Sequence, residues 1–165
     1  MPNPPNTTLN IRQAIEADVP LILSFIKGLA EYERLAHEVV TDEETLRNSL
    51  FGDRAYAEVL FAELEEPVGF AIFFHSFSTF IGKPGIYLED LFIKPEARGK
   101  GVGKALMEHL AKLALERGCA RFEWAVLNWN DPAIEFYRRI GAKPMTEWTV
   151  QRVTGEALSA LAGEP

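Results

Sequence analysis

The stretch Arg98-Gly99-Lys100-Gly101-Val102-Gly103 joins an apolar, strand-like run, Ile86 to Ile93, to a helix-like run, Val102 to Arg117. A chain leaving a strand through glycine can turn with positive φ and bring its backbone close to a ligand. The first amides of the following helix have no partner within it and carry the positive end of its dipole. Such a loop suits an anion, above all a pyrophosphate. Two common phosphate-loop patterns do not fit. A nucleotide-triphosphate loop needs Gly, four residues and then Gly-Lys-Ser/Thr, but counting back from Gly103-Lys104 puts Arg98 at the first glycine, and Ala105 follows the lysine. A dinucleotide fingerprint begun at Gly99 and Gly101 would need its third glycine at Lys104. What remains is Arg-x-x-Gly-x-Gly after a strand carrying the acids Glu89 and Asp90. Taken alone, the loop could also be a solvated glycine turn, and its neighbours must decide.

Other reactive residue types offer less. The single cysteine, Cys119, cannot make an internal disulfide, and its place in an apolar run after Gly118 suits a small core residue. His37, His75 and His109 show no metal-ligand spacing with one another or with Cys119, so no metal is expected. A formal charge of −7 with no basic block argues against nucleic acid, and it favours a small cationic substrate if the acids gather at a cleft. Acids and histidines apart, 47% hydrophobic residues in 165 is the composition of one ordinary globular domain with a sizeable core. Residues 1–8, rich in Pro and Asn, read as a disordered tail before a domain spanning 9–165. They lack a signal peptide's segments, and no apolar run reaches membrane-spanning length, so a cytoplasmic protein with no membrane partner is expected.

The elements that must position the loop follow from periodicity. Leu9 to Ile15 alternates as a strand, and Asp18 caps a helix through Leu29 with Pro20 in its first turn. Thr41 and Glu44 form a capping box for a second helix to about Leu50. Ala55 to Leu64 and Val68 to Phe77 read as a hairpin around Glu65-Glu66-Pro67, and Ile86 to Ile93 as the next strand. The helix from Val102 to Arg117 lines up Val102, Leu106, Leu110 and Leu113 and stops at Gly118. Ala120 to Leu127 is a further strand, Asp131-Pro132 starts a short helix to Ile140, and Pro144 to Val153 closes as a strand. This order implies an α+β or α/β sheet with helices on both faces.

Four blocks now stand in register: Tyr87-Leu88-Glu89-Asp90-Leu91-Phe92-Ile93, Arg98 to Gly103, Val126-Leu127-Asn128-Trp129-Asn130 and Phe136-Tyr137-Arg138-Arg139-Ile140-Gly141-Ala142. In order and spacing they resemble the diamine acetyltransferase family of the GNAT N-acetyltransferase superfamily, with Ala30-Glu31-Tyr32-Glu33 extending the likeness over nearly the whole chain. The resemblance implies the GNAT fold, a mixed, mostly antiparallel twisted sheet splayed between its fourth and fifth strands. It implies acetyl-CoA as co-substrate, a small-molecule amine as acceptor, and a homodimer. Acetyl transfer needs the amine to lose its proton, donors for the developing oxyanion, and a proton for the departing thiolate.

By resemblance, the backbone of Leu91, Phe92 and Ile93 pairs with the pantetheine arm and the thioester carbonyl. Arg98, Gly99, Lys100, Gly101, Val102, Gly103 and Lys104 hold the pyrophosphate, and Asn130, Asp131, Pro132 and Ala133 complete the cofactor site. Asn130 could equally be a helix cap. Tyr137 matches the family's general acid, and a phenol, with a reference pKa of about 10, holds its proton at neutral pH; a packing aromatic is the alternative. Glu89 matches the base, with a solvated strand-end acid as its alternative. Asp90 could bind a substrate ammonium, although adjacent strand residues point to opposite faces unless a bulge reorients one. Tyr32, Glu33, Glu123, Trp124 and Ala125 match residues lining the acceptor cleft.

The chain departs from the polyamine-specific enzymes at Ser78-Thr79-Phe80-Ile81-Gly82-Lys83, where those carry an acid and a proline before the aromatic residue. Losing that carboxylate, the segment resembles the branch acting on thialysine and related side-chain amines, so a small diamine or lysine-like acceptor is expected. Two other readings stay open: an N-acetyltransferase of another amine, such as a polyamine, a protein N-terminus or an antibiotic, and a non-catalytic acyl-CoA-binding module.

Overall fold

The computed structural model describes residues 8–164, so the expected N-terminal tail lies, but for Thr8, outside the described residues. The chain divides into two compact units, one up to Ala125 and one from Val126 onward. In the first, five strands stand side by side in sequence order. They are β1 (Asn10–Gln13), β2 (Glu58–Glu63), β3 (Pro67–Ser78), β4 (Lys83–Ile93) and β5 (Phe122–Trp124). The ladders β1–β2, β2–β3 and β3–β4 are antiparallel, and β4–β5 is parallel. Three helices accompany them: α1 (Val19–Tyr32), α2 (Glu43–Phe51) and α3 (Val102–Glu116).

The helices divide between the two faces, and the alternation of β3 and β4 says how. Phe25 on α1 packs its ring against Phe61, Phe70 and Phe92 at centroid distances of 5.5, 5.2 and 6.2 Å. Phe70 and Phe92 are ladder partners, so α1 covers their face. The neighbouring pair, Gly69 and Ile93, points the other way and meets α3: a Cβ on Gly69 would lie 3.1 Å from a Val102 methyl. On α3 the buried stripe is Val102, Leu106, Met107, Leu110 and Ala114, with Leu113 only half-buried at its edge.

Local details correct several expectations. Asp18 precedes α1 without capping it: its carboxylate takes two hydrogen bonds from Arg12 (2.7 and 3.0 Å) and one from the Ile15 amide (2.8 Å). Those donors, Arg12 first, hold the carboxyl below its ordinary range. The cap of α2 is Asp42, which accepts from the Thr45 amide at 2.8 Å, in place of the Thr41–Glu44 box. A carboxylate one residue along competes better for the orphan amide than a hydroxyl. The strand expected over Ala120 to Leu127 shortens to Phe122–Trp124, because β4 pairs with it only there.

The second unit holds α4 (Asp131–Arg139) and α5 (Gly155–Leu161). No strand forms over Pro144 to Val153, and Trp148 and Val150 in that segment are exposed. Strand-forming residue types make a strand only when a ladder partner accepts them, and among the described residues this segment has none.

Candidate active site

The ladder between β3 and β4 slips by one residue. Phe73 pairs with Leu88 and Ile72 with Asp90, leaving Glu89 as a bulge residue with no partner. A bulge reverses which side chains share a face. Before it, Ile86 and Leu88 are buried on the α3 side; after it, Asp90 and Phe92 lie on the α1 side. The bulge thus sets Asp90 against the end of α1, where Glu33 adds its charge, while Glu89 stays exposed. Burial, then the charges of Glu89 and Glu33, push Asp90 up to about 6. Burial also raises Glu33 above its ordinary range.

The same place opens the sheet. β4 pairs with β5 only at Ile86–Phe122, Tyr87–Glu123 and Leu88–Trp124. From Glu89 to Ile93, including Leu91, Phe92 and Ile93, β4 has no strand on its β5 side among the described residues, which is the expected splay. Phe92 also fills the core: a Cβ on Gly28 would sit 2.9 Å from its ring, so α1 needs glycine at that crossing.

Past Ile93 the chain makes a short 3₁₀ turn, Pro95–Ala97, and enters the glycine loop. Gly99 and Gly101 have φ of 75° and 79°, a region that favours glycine, and open space surrounds the position of a Cβ on either. Gly101 is the N-cap of α3 and contributes no side chain, so the amides of Val102, Gly103 and Lys104 begin the helix on an uncrowded surface. Backbone donors with that clearance fit a diphosphate. Arg98 is turned back toward the strand: its Nε donates to the Ile93 carbonyl at 3.1 Å, and its guanidinium lies 4.6 Å from the Tyr32 ring centroid and 5.6 Å from that of Phe92. Lys100 and Lys104 are exposed, Lys104 paired with Glu108 at 3.6 Å.

A cavity of about 350 Å³ lies here, lined by Ser24, Phe25, Gly28, Glu31, Tyr32, Phe92, Lys94, Pro95 and Arg98. Lys94 had no signal in the sequence beyond ending a strand, and the α1 residues Ser24 and Gly28 read as ordinary helix positions. Only the packing of α1 across β4 makes them a wall. On β5, Glu123 shares the α1 face through its partner Tyr87, which stacks on Phe74 at 5.1 Å. Trp124, one residue on, faces the other way against Phe122 at 4.9 Å, and Ala125 is exposed at the end of this unit. The expected acceptor trio on this strand is thereby split between the faces.

Within the second unit, Asn130 is buried and its side-chain oxygen accepts from the Ala133 amide at 3.4 Å, so it does cap α4. Asp131 and Pro132 form the first turn, and Arg138 and Arg139 the last. Tyr137 is half-buried on α4, its ring 5.5 Å from that of Phe136.

Comparison with known proteins gives the family and the fold. The model of the Acetyltransferase (GNAT) family matches residues 25–142. The chain is 41% identical over 166 residues to a thialysine N-epsilon-acetyltransferase of Sus scrofa, covering 93% of this chain and 97% of that one. It is 33% identical over 197 residues to an L-ornithine N5-acetyltransferase of Arabidopsis thaliana, with 92% and 86% covered. Among solved structures, an integron cassette protein from the mobile metagenome of V. cholerae superposes with a TM-score of 0.79 at 29% identity, with 93% and 97% covered.

Proposed function

The chain belongs to the GNAT acetyltransferase family and is an N-acetyltransferase, and from that premise we propose that it moves the acetyl group of acetyl-CoA directly onto a primary amine of a small diamine or lysine-like acceptor. The observation that carries this reading is the bulge at Glu89. It gathers Glu89, Asp90 and Glu33 beside a strand edge left open by the splay, so an ammonium would meet carboxylates next to free backbone. Acetyl-CoA supplies the acetyl group as a thioester. The amides from Gly99 to Lys104 take the pyrophosphate, with Arg98 adding charge, and Leu91, Phe92 and Ile93 offer backbone partners to the arm and the thioester carbonyl. Asn130, Asp131, Pro132 and Ala133 hold the arm, with Tyr137 donating a proton to sulfur. Tyr32, Glu33, Asp90, Glu123 and Ala125 receive the acceptor, and Glu89 draws its proton.

One observation favours a second assignment of the base. Asp90 is the half-buried carboxylate, pushed up to about 6 by desolvation and its acidic neighbours, and a general base works best when its pKa lies near the operating pH. Glu89 would then steady the cation. Residues 9–165 act as one catalytic domain in a cytoplasmic homodimer that uses no metal. The described residues contain no helix long and apolar enough to cross a membrane.

CoA release with thialysine, lysine, putrescine, spermidine, spermine and N-terminal peptides tests the reading. Thialysine or putrescine should lead in kcat/KM. Spermine leading by tenfold, about 1.4 kcal/mol in transition-state binding, would replace it with a polyamine enzyme. Binding of acetyl-CoA without turnover on any acceptor would make the chain a non-catalytic acyl-CoA-binding module.

A further inference from the structure

The α1 face of β4 and β5 carries one charged pair that neither the glycine loop nor the acids at the bulge explain. Arg121 Nε bonds Glu123 Oε1 at 2.7 Å, both side chains about two-fifths exposed. Gly85 makes room for it: a Cβ there would lie 3.1 Å from Arg121 Cγ and 2.7 Å from Ser76 Oγ. Ser76, the ladder partner of Gly85, is on the same face as Phe74 and Ile72, which fixes Arg121 on that face too. Its Oγ is buried with no hydrogen-bond partner. Between this pair and Asp90 lie the stacked rings of Phe74 and Tyr87, half-buried.

The distances suit a particular shape of acceptor. Glu123 pairs with Tyr87, whose partner Phe74 is two residues along β3 from Ile72, the partner of Asp90. With a rise of about 3.4 Å per residue and a strand spacing of about 4.8 Å, the Cα atoms of Asp90 and Glu123 stand about 8 Å apart. A lysine-like side chain, about 6 Å from its Cα to its terminal nitrogen at ordinary bond lengths, spans that gap over an aromatic floor. Its terminal amine would then lie by the acids at the bulge and its α-carbon by an arginine and a glutamate. An α-carbon bearing both an ammonium and a carboxylate needs that combination of charges.

We propose that Arg121 reads the α-carboxylate of a basic amino-acid acceptor, while Glu123 takes its α-ammonium. This rests on the function proposed above and deepens it: the acceptor is a free amino acid acetylated at its side-chain nitrogen, and a plain diamine is the poorer substrate. The guanidinium keeps Nε on Glu123 and presents its terminal nitrogens as the fork a carboxylate fits. The arrangement selects against long polyamines as well, because they would bring an ammonium to Arg121.

Two substrate pairs differ only in the carboxylate: ornithine with putrescine, and lysine with cadaverine. The unaltered protein should favour the amino acid of each pair by roughly tenfold or more in kcat/KM. Arg121→Met keeps an unbranched stem over Gly85 and Ser76 but removes the charge, and should erase that ratio through a higher KM for the amino acid. Arg121→Lys should restore part of it. Turnover of the diamine in the same variant certifies the fold and the transfer chemistry, so only the ratio is read. An unchanged ratio in Arg121→Met, or a wild-type preference for the diamines, overturns the inference while leaving the acetyltransferase reading intact. No turnover of any of the four or of thialysine by the unaltered protein overturns the proposed function and this inference with it.

Discussion

The two faces of one strand do opposite work in this molecule. On the α3 side, Ile86 and Leu88 of β4 are nearly or fully excluded from water, as are Leu106 and Leu110 on α3. On the α1 side, the same strand shows Tyr87 and Asp90, half-buried and flanked by Glu33 and Glu123. One extra residue, Glu89, separates them. An unbroken alternation would put Asp90 on the face of Leu88, beneath α3 and among hydrocarbon. The bulge lets the middle of one strand be dry core on one side and charged on the other, with Phe92 returning the α1 side to core beyond it, and charge is held where water still reaches.

Removing the bulge breaks that contrast most severely. Inserting one residue between Ile72 and Phe73 gives Glu89 a ladder partner, restores strict alternation and forces either Asp90 into the α3 core or Leu88 out of it. A cost above about 4 kcal/mol is expected, seen as loss of a cooperative urea transition; native stability in the insertion variant would deny the bulge this role. On the dry face alone, Leu106→Ala should cost about 3–4 kcal/mol and lower Tm, with kcat per folded molecule nearly unchanged. On the wet face the sign reverses. Between about pH 4 and 6 folded Asp90 holds a proton that the unfolded chain has already released, so its contribution to stability falls as pH rises through that range. Asp90→Asn should therefore raise stability at pH 7 by about 2 kcal/mol while depressing kcat/KM, and the wild-type profile should lose activity below about pH 6 where the variant shows no such limb. A destabilised Asp90→Asn at pH 7 would show that the carboxylate is held by favourable partners.

Legibility in the sequence followed the range of the forces involved. The glycine loop could be read because positive φ at Gly99 and Gly101 is a local demand, and the helix stripes because periodicity is local too. The bulge could not: Glu89 and Asp90 are visible as neighbours, but the slip that parts them arises from how β4 registers on β3. The face of Trp124 is illegible for a related reason, since it depends on the parallel pairing of β5 with β4. The strand expected over Pro144 to Val153 failed because propensity without a ladder partner is insufficient, and α5, just beyond, was overlooked. Asp42 took the cap from Thr41 by a shift of one residue.

The central claim, that acetyl passes from acetyl-CoA to the side-chain amine of a lysine-like acceptor, is tested most directly by NMR of the product formed from thialysine. The account predicts a single acetyl group on the side-chain nitrogen, one for each CoA released. Acetylation of the α-nitrogen, or CoA release without acetylated thialysine, would contradict it.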